Sequence, residues 1–203
     1  MSSMPARPSI EIWAWRHPRA IGAAGRCIGR TDIAVDPRKA RRLAHRIRAA
    51  ARRHGLPRVV TVSPLARARA VGRVLAGWGW RVQVDARLQE LDFGAWDGRR
   101  WDDIAWAEVQ AWQDDLLHHA PGGGESLAGL VARVQSWCAG QVGGPQLVVS
   151  HGGWLNGLAL WRSLSPIDSQ DRSMPSHLAA ADWPAPPRHG QLVRAQVQPV
   201  ATA

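Results

Sequence analysis

The sequence predicts an α/β protein, a three-layer αβα sandwich on a mostly parallel sheet, with one edge strand that could be antiparallel and a small helical cap. Short apolar runs alternate with longer amphipathic segments, which is the pattern of parallel strands with helices on both faces. Two of the apolar runs are followed, after one polar residue, by a histidine, His17 or His151. Because ligands of such sheets bind beyond the carboxyl ends of the strands, we expect both histidines to belong to one site.

The first half of the chain carries two strands and two helices. A strand is predicted over residues 10–15, and a loop rich in Gly and Arg follows it over 20–36. Pro37 suits the first position of a helix, which runs to His54 and which Gly55 ends. A β-branched strand at 59–62 then leads into a helix that Pro64 opens and that ends near Leu75.

The second half continues the alternation and ends in the candidate edge strand. Its predicted elements are a short strand at 81–84, a loop at 88–98, a helix at 101–117, a glycine-rich break at 121–124, a helix at 126–139, a strand at 146–150 and a helix at 154–163. Residues 165–190 are polar and rich in proline. Residues 191–197 alternate between apolar and polar side chains, which places them at the edge of the sheet.

Length and composition fit one globular domain over residues 1–203, with the helical cap inserted at about 97–126. The two cysteines, Cys27 and Cys138, have no metal-ligand spacing and provide no disulfide framework, which favours a reducing compartment. No targeting signal is visible, and no apolar stretch approaches the roughly 20 residues that a membrane span needs. A cytoplasmic location is therefore expected.

Arginine supplies nearly all of the positive charge. The net charge is +10, from 26 Lys and Arg against 16 Asp and Glu, and Lys39 is the only lysine. The densest stretch, residues 38–58, is interpreted as the solvated face of a helix whose other side carries Leu43 and Ile47. The charge is otherwise spread along the chain, which argues against nucleic acid as a partner, whereas guanidinium groups suit bidentate binding of phosphate.

Five side chains that could act as a nucleophile, an acid or an anion ligand follow predicted strands or lie in the adjoining loops: Arg16, His17, Arg67, Glu90 and His151. A neutral imidazole can attack phosphorus directly and form a covalent phosphohistidine, which water then hydrolyses. Arginines bind the phosphoryl oxygens, and a carboxylic acid donates a proton to the leaving alkoxide. These residues therefore predict a phosphoryl-transfer site that needs neither a metal nor a cofactor.

The arginines act oppositely on the two ionisable partners of this site. Positive charge beside His17 disfavours the protonated imidazole and so keeps the nucleophile neutral. The same charge favours the carboxylate form of Glu90, which opposes proton donation until a bound phosphate dianion offsets it.

The motifs resemble those of the histidine phosphatase superfamily, in its phosphoglycerate mutase-like branch, over about residues 10–160. The resemblance assigns the nucleophile to His17 and its partner to Arg16. It assigns the second phosphate-binding arginine to Arg67, in a Ser-x-Leu-x-Arg pattern. The proton donor becomes Glu90, in a Leu-x-Glu-x-x-Phe-Gly-x-Trp-x-Gly pattern, and the second histidine becomes His151, in Ser-His-Gly-Gly.

The resemblance implies three catalytic residues, His17, Glu90 and His151. It implies that Arg16, Arg67 and His151 bind the substrate. The expected fold is phosphoglycerate mutase-like, no metal is implied, and the expected partner is a small phosphorylated metabolite. A homodimer is left open.

Within the superfamily the chain most resembles α-ribazole phosphatases of cobalamin synthesis. Residues 29–33, Gly-Arg-Thr-Asp-Ile, and residues 121–126, Pro-Gly-Gly-Gly-Glu-Ser, carry this resemblance. It implies a phosphomonoesterase that acts on α-ribazole 5′-phosphate. The stretch after Glu90 is acidic and rich in tryptophan, which favours a phosphatase over a mutase, and an aromatic or nucleoside-like leaving group could stack on Trp96, Trp101 or Trp106.

The chain departs from the family pattern directly after the nucleophile. Pro18 stands where glycine is usual, and Arg19 stands where Glu or Gln is common. Proline lacks an N–H and cannot adopt positive φ. Two alternatives to the specific phosphatase therefore stay open: a phosphatase of broad specificity for sugar phosphates and nucleotides, and a phosphate-binding module without turnover.

The remaining polar residues have simpler interpretations. Arg69 and Arg73 are expected at the surface, and Asp92 and Asp97 are expected to cap loops. Arg26 and Arg30 lie in the loop after the nucleophile and contact either solvent or substrate. The adjacent pair His118 and His119 lacks metal-ligand spacing, and Ser63 lacks the Gly-x-Ser-x-Gly turn of a serine hydrolase.

Overall fold

The computed structural model describes residues 9–164, 177–179 and 182–197. Five strands form one sheet: β1 (Ile10–Arg16), β2 (Val59–Val62), β3 (Arg81–Val84), β4 (Gln146–Ser150) and β5 (Leu192–Val197). Their order is β3-β2-β4-β1-β5, with β1 to β4 parallel and β5 antiparallel to β1. The predicted mostly parallel sheet with an antiparallel edge strand is confirmed.

Helices cover both faces of this sheet. The helices on its faces are α1 (Pro37–His54), α2 (Ala66–Ala76), α4 (Leu127–Ala139) and α5 (Gly152–Leu164), while α3 (Trp106–Asp114) packs on a small cluster around Trp96. Side chains alternate along β1, so that Trp13 and Trp15 pack on the α1 and α2 side, while Ile12 and Ala14 pack on the α4 and α5 side. The sandwich therefore has the three predicted layers.

The register of the central strands brings their carboxyl ends together. Arg16 of β1 pairs with Ser150 of β4, and the amide of His17 donates to the Ser150 carbonyl at 2.9 Å. On the other side of β4, the amide of Ser63 donates to the Val149 carbonyl at 3.1 Å. The residues that follow β1, β2 and β4 are therefore neighbours, although they are far apart in sequence.

Helix boundaries follow the local capping chemistry. The side chain of Asp36 caps α1 by accepting from the Arg38 amide at 2.8 Å, and Gly55 ends the helix with φ of 63°. The second helix begins at Ala66 instead of Pro64. The last helix begins at Gly152, two residues before the predicted start, so its N-terminus lies directly after His151.

The prediction of one helix over 101–117 is wrong. Residues Trp101–Asp103 form a 3-10 turn, Ile104 and Ala105 are extended, and α3 begins only at Trp106. Ile104, Val109 and Trp112 of this stretch pack on Cys27 and Trp96 in a small separate cluster, whereas Leu116 and Leu117 join the main core.

Several sequence predictions lie outside the described residues, among them the polar residues 1–8 and much of the proline-rich segment at 165–190. The division into one domain with a cap stays a prediction. In the part of the chain that the structure describes, no helix is long and apolar enough to cross a membrane.

Candidate active site

A cavity of about 370 Å³ lies at the carboxyl ends of β1 and β4. Four of the five predicted site residues line it: Arg16, His17, Arg67 and Glu90. The fifth, His151, is completely buried directly beneath it, with its ring centroid 4.8 Å from that of His17. The fold thus brings all five predicted residues into one site.

His17 is held as one neutral tautomer. Its Nδ1 lies 2.6 Å from the carbonyl oxygen of Pro18, and because a carbonyl only accepts, Nδ1 must carry the proton. The other ring nitrogen, Nε2, has no hydrogen-bond partner within the described residues. The unshared electron pair of the neutral imidazole is therefore on the nitrogen that is free to react.

The surroundings of His17 favour this neutral form. Only 5% of the residue is exposed. Burial, followed by the positive charge of Arg67, holds the pKa of His17 well below its usual 6.5, and Arg16 and His189 act in the same direction. The imidazole is therefore unprotonated at neutral pH, as a nucleophile requires.

Pro18 fills the role that the structure gives to position 18. The site uses the carbonyl of this residue, which proline shares with every other amino acid. No residue other than glycine has a positive φ in the described part of the chain, so the loop does not require a glycine conformation here.

Arg67 and His151 hold each other in position through a hydrogen bond between their side chains. The Nε of Arg67 donates to Nδ1 of His151 at 3.2 Å, which leaves the proton of the neutral imidazole on Nε2, 2.8 Å from the Ser63 hydroxyl. Burial and the positive charges of the site hold the pKa of His151 well below 6.5. Both ring nitrogens of His151 are thus engaged by protein groups, and its immediate effect is to orient Arg67.

The loop after β1 holds the guanidinium of Arg67 from the other side. Its two terminal nitrogens donate to the carbonyls of Gly29 and Thr31. The carboxylate of Asp97 in turn accepts from the amides of Gly29, Arg30 and Thr31 and from the Thr31 hydroxyl. Asp97 is therefore a loop clamp that acts on the site through Arg67, and the loop that it holds is a distant one that the predicted capping role did not identify.

Arg16 offers free donors to an anion. One terminal nitrogen donates to the Pro187 carbonyl at 2.8 Å, while Nε is buried without a hydrogen-bond partner among the described residues. The guanidinium lies against Gly152 at the N-terminus of α5, where a Cβ would approach it to about 3.2 Å. An anion at this point would meet both the guanidinium and the unpaired amides of a helix N-terminus.

Glu90 is packed against the start of α5. One carboxylate oxygen accepts from the Leu91 amide at 3.0 Å, and a Cβ on Gly153 would overlap that same oxygen. The glycine at position 153 therefore leaves the space that the carboxylate occupies. Glu90 is 8% exposed and faces the cavity that His17 and the arginines line.

Sequence reasoning missed Arg133, which anchors the Glu90 loop. Its guanidinium donates to the carbonyls of Arg87, Gln89 and Glu90 and forms a two-point ion pair with Glu125. The only signal in the sequence was one charged residue on a helix, α4, that has no other charge.

Sequence reasoning also missed His189. Its Nδ1 donates to the His17 carbonyl at 3.1 Å, and the two rings lie 5.3 Å apart. The proline-rich segment around it has no periodicity to mark it. However, it lies two residues before the predicted edge strand, and the amino end of an antiparallel neighbour lies beside the carboxyl end of β1.

Of the three candidate stacking tryptophans, only Trp101 lines the cavity, together with Phe93. Trp96 is buried and donates through its indole N–H to Glu108 at 2.8 Å. Trp106 is 68% exposed and is not part of the cavity wall. The segment at 97–126 thus reaches the site, and it does so through one aromatic side chain.

The remaining candidates divide between cavity and surface. Arg26 lines the cavity and donates to the Gly98 carbonyl at 2.9 Å, while Arg30 forms an ion pair with Asp92 at 3.0 Å. Arg69 lies 3.8 Å from Asp32 near the surface. Among the residues that the structure describes, no group of His, Cys, Asp or Glu is arranged to hold a metal ion.

The fold and the site define a class: an α/β protein with a neutral histidine in an arginine-lined cavity at the carboxyl end of its sheet. A family model confirms and specifies this class, because residues 12–179 match the histidine phosphatase superfamily, branch 1. The chain belongs to that superfamily.

Relatives named as mutases and as phosphatases both resemble the chain. A probable phosphoglycerate mutase GpmB of Yersinia enterocolitica is 30% identical over 156 residues, which is 70% of each chain. The structure of a mycobacterial glucosyl-3-phosphoglycerate phosphatase has 25% identity and a TM-score of 0.64, over 77% of this chain and 80% of that one. A Thermus thermophilus protein, TTHB049, has 28% identity and a TM-score of 0.58, over 76% and 85%.

Proposed function

We propose that the protein is a metal-independent phosphomonoesterase that works through a phosphohistidine at His17. The observation that carries this proposal is the hydrogen bond from Nδ1 of His17 to the Pro18 carbonyl. It leaves a neutral Nε2 as the nucleophile in a cavity whose fixed charges are mainly positive. Such a site attracts a phosphate monoester and presents it with a reactive nitrogen.

The reaction takes place in two steps. In the first, Nε2 of His17 forms a bond to phosphorus, the bond from phosphorus to the ester oxygen breaks, and protonated Glu90 transfers its proton to the departing oxygen. In the second, the Glu90 carboxylate takes a proton from water, the water oxygen bonds to phosphorus, and the bond from phosphorus to Nε2 breaks. Inorganic phosphate leaves, and both residues return to their initial states.

Arg16 and Arg67 bind the phosphoryl oxygens in this scheme. The Nε of Arg16 is a buried donor without a partner among the described residues, and Arg67 is only 1% exposed and held in place on three sides. Preorganised donors of this kind stabilise the charge of a phosphoryl transition state because they need no rearrangement during the reaction. One structure of the related mycobacterial phosphatase is a complex with inorganic phosphate, which supports phosphate as a ligand for this fold.

Hydrolysis is favoured over phosphoryl transfer to a second substrate. Residues 97–126 contribute only Trp101 to the cavity wall, and they contribute no cation. A mutase must retain a phosphorylated acid beside the phosphohistidine while water is excluded, and this wall offers no charged group to retain one. Because the named relatives include both classes, the test must measure both reactions.

The natural substrate is proposed to be α-ribazole 5′-phosphate, with a broader range of sugar phosphates and nucleotides as the alternative. Trp101 and Phe93 provide apolar walls against which an aromatic leaving group could pack. The two stretches that resemble those of α-ribazole phosphatases hold parts of the site in place. The carbonyl of Thr31 accepts from Arg67, and Gly122 packs closely on the backbone around Gly94.

The experiment compares wild type with His17→Ala in the presence of EDTA. Phosphate release is measured from p-nitrophenyl phosphate and α-ribazole 5′-phosphate, and the interconversion of 2- and 3-phosphoglycerate is measured in parallel. We expect release by wild type, none by the variant, and no interconversion. Interconversion without release would identify a mutase. Phosphate binding by folded wild type without either reaction would identify a binding module.

A further inference from the structure

A second cavity, of about 330 Å³, adjoins the catalytic one. We call it the basic pocket and define it by Arg19, Lys39, Arg42, Arg46 and His189. It shares His189 with the catalytic cavity, and Arg19 is only two residues beyond His17. The two cavities are therefore direct neighbours on either side of one imidazole.

The positive charge of the basic pocket is not compensated by acids. None of its four cations forms an ion pair with a carboxylate of the described residues, whereas Arg30, Arg87 and Arg133 all do. Helix α1, which supplies three of the four, contains no Asp or Glu. Positive charge from Arg16, Arg19 and Lys39 also adds to burial in lowering the pKa of His189.

The three cations from α1 lie on one face of that helix. Lys39, Arg42 and Arg46 are spaced by three and four residues, which places them on adjacent turns and beside the buried Leu43. Like charges at this spacing repel one another in an isolated helix. The other cations of α1, such as Arg38 and Arg41, are exposed like these three but do not line the pocket.

We propose that the basic pocket binds a second anionic group, a phosphate or a carboxylate, while the catalytic cavity holds the phosphoryl group that is removed. The ligand class is a small polyanion, such as a sugar bisphosphate. The proposal rests on the proposed function in its use of the catalytic cavity. Two sources share this chemistry: a second group on the substrate itself, or a separate anion that binds beside it.

The distribution of charge around the catalytic cavity indicates on which side of it the second anionic group binds. The segment on the Trp101 side carries Asp102, Asp103 and Glu108 and contributes no cation to the cavity wall. The side beyond His189 is basic, and Arg188 extends the positive surface there in a concavity that also contains Arg46 and His189. Pro18 and Arg19, the two departures from the family pattern, both line the basic pocket.

The test compares fructose 6-phosphate with fructose 1,6-bisphosphate, which differ by one phosphate. The variant Lys39→Gln/Arg42→Gln removes two charges of the basic pocket, and Arg38→Gln/Arg41→Gln removes two exposed charges of the same helix outside it. In the first variant, the ratio of kcat/KM for the bisphosphate to that for the monophosphate should fall about tenfold or more, the loss of roughly 1.4 kcal/mol of charge-assisted contact. In the second, the ratio should stay as in wild type.

A second arm separates the two sources of the anion. If a free anion occupies the basic pocket, sulfate will change the rate of fructose 6-phosphate hydrolysis in a way that is partly non-competitive with the substrate. The variant Lys39→Gln/Arg42→Gln should abolish this non-competitive effect of sulfate. A fall in the substrate ratio supports the substrate's own second group, and loss of this sulfate effect supports a separate anion. If neither changes, or if both double variants change alike, the basic pocket is not an anion site.

A binding measurement keeps this proposal separate from the proposed function. If wild type hydrolyses neither sugar phosphate, calorimetric titration with fructose 1,6-bisphosphate replaces the kinetic ratio. The Kd should still rise about tenfold in Lys39→Gln/Arg42→Gln, relative to Arg38→Gln/Arg41→Gln, because the contact does not depend on turnover. An equal Kd in both variants would overturn the basic pocket as an anion site, whatever the fate of the catalytic proposal.

Discussion

At the scale of single residues, the reactivity of the site depends on where two protons are held. The Pro18 carbonyl places the proton of His17 on Nδ1, and Arg67 together with Ser63 places the proton of His151 on Nε2. Neither ring has to change its tautomer before His17 attacks. Burial then removes the competing protonated form of both rings, because a charged imidazole loses solvation in this environment.

The first prediction concerns the pH dependence of catalysis. The imidazole attacks only when neutral, and its lowered pKa keeps it neutral well below pH 6.5. The acid limb of kcat/KM, corrected for ionisation of the substrate, should therefore lie below 6.5, with activity lost only as the pH falls through the lowered pKa. A limb at or above 6.5, or a His17 proton signal that titrates there by NMR, contradicts this account of the site.

The second prediction concerns proton donation by Glu90. Glu90→Gln should lower kcat/KM, which reports the first step alone, by about 10²-fold to 10⁴-fold for an alkyl phosphate, and much less for p-nitrophenyl phosphate, whose leaving group needs no proton. Gly153→Ala should give a weaker form of the same difference, since its methyl group displaces the carboxylate. Gly157→Ala, in the same helix, is the control because its Cβ meets Leu130 at an ordinary 3.4 Å. Equal losses on both substrates would exclude Glu90 as the acid.

At the scale of elements, the site is assembled by connections between loops. The sequence predicts the strands and most helices because hydrophobic alternation and capping residues are local signals, as at Asp36 and Gly55. It predicts the convergence of His17 and His151 because parallel strands end at one edge. It could not show that Asp97 reaches the loop at 29–31, because that contact spans 66 to 68 residues and leaves no periodic signal.

The same reasoning explains the wrong helix at 101–117. The apolar spacing there fits a helix, but the side chains pack around Trp96 in a separate small cluster. Tertiary packing of bulky tryptophans determined the backbone in this segment more strongly than local preference did. Arg133 and His189 were missed for a related reason, since their partners are backbone carbonyls of distant loops.

The third prediction tests the loop clamp. Asp97→Ala should leave the fold intact and lower kcat/KM by about 10²-fold, because Arg67 loses the loop that fixes its position. The matched control is Asp102→Ala, which removes an exposed carboxylate from the same segment. Steady-state kinetics and circular dichroism of both variants provide the comparison. Equal activity in the two variants would show that the clamp does not position Arg67 for catalysis.

At the scale of the whole molecule, the site makes folding sensitive to acid. Below about pH 6.5 the unfolded chain protonates His17 and His151, whereas the folded chain resists protonation at both positions. The unfolded state therefore binds more protons, and the free energy of unfolding falls as the pH is lowered. Each histidine contributes a slope of up to about 1.4 kcal/mol per pH unit between 6.5 and its lowered pKa.

The fourth prediction follows from this linkage. Urea denaturation between about pH 5 and 7 should show a smaller loss of stability on acidification in His17→Gln than in wild type, because glutamine does not titrate. His118→Gln, which replaces an exposed histidine, should follow wild type. If His17→Gln loses as much stability as wild type over this range, the buried neutral state of His17 is not what couples folding to pH.

The most direct test of the central claim is detection of the phosphoenzyme. Wild type mixed with a phosphomonoester, quenched at alkaline pH and analysed by mass spectrometry should carry one phosphoryl group on the peptide that contains His17, and His17→Ala should carry none. Turnover by wild type without any such adduct at short reaction times, or an adduct that persists in His17→Ala, would contradict the phosphohistidine mechanism.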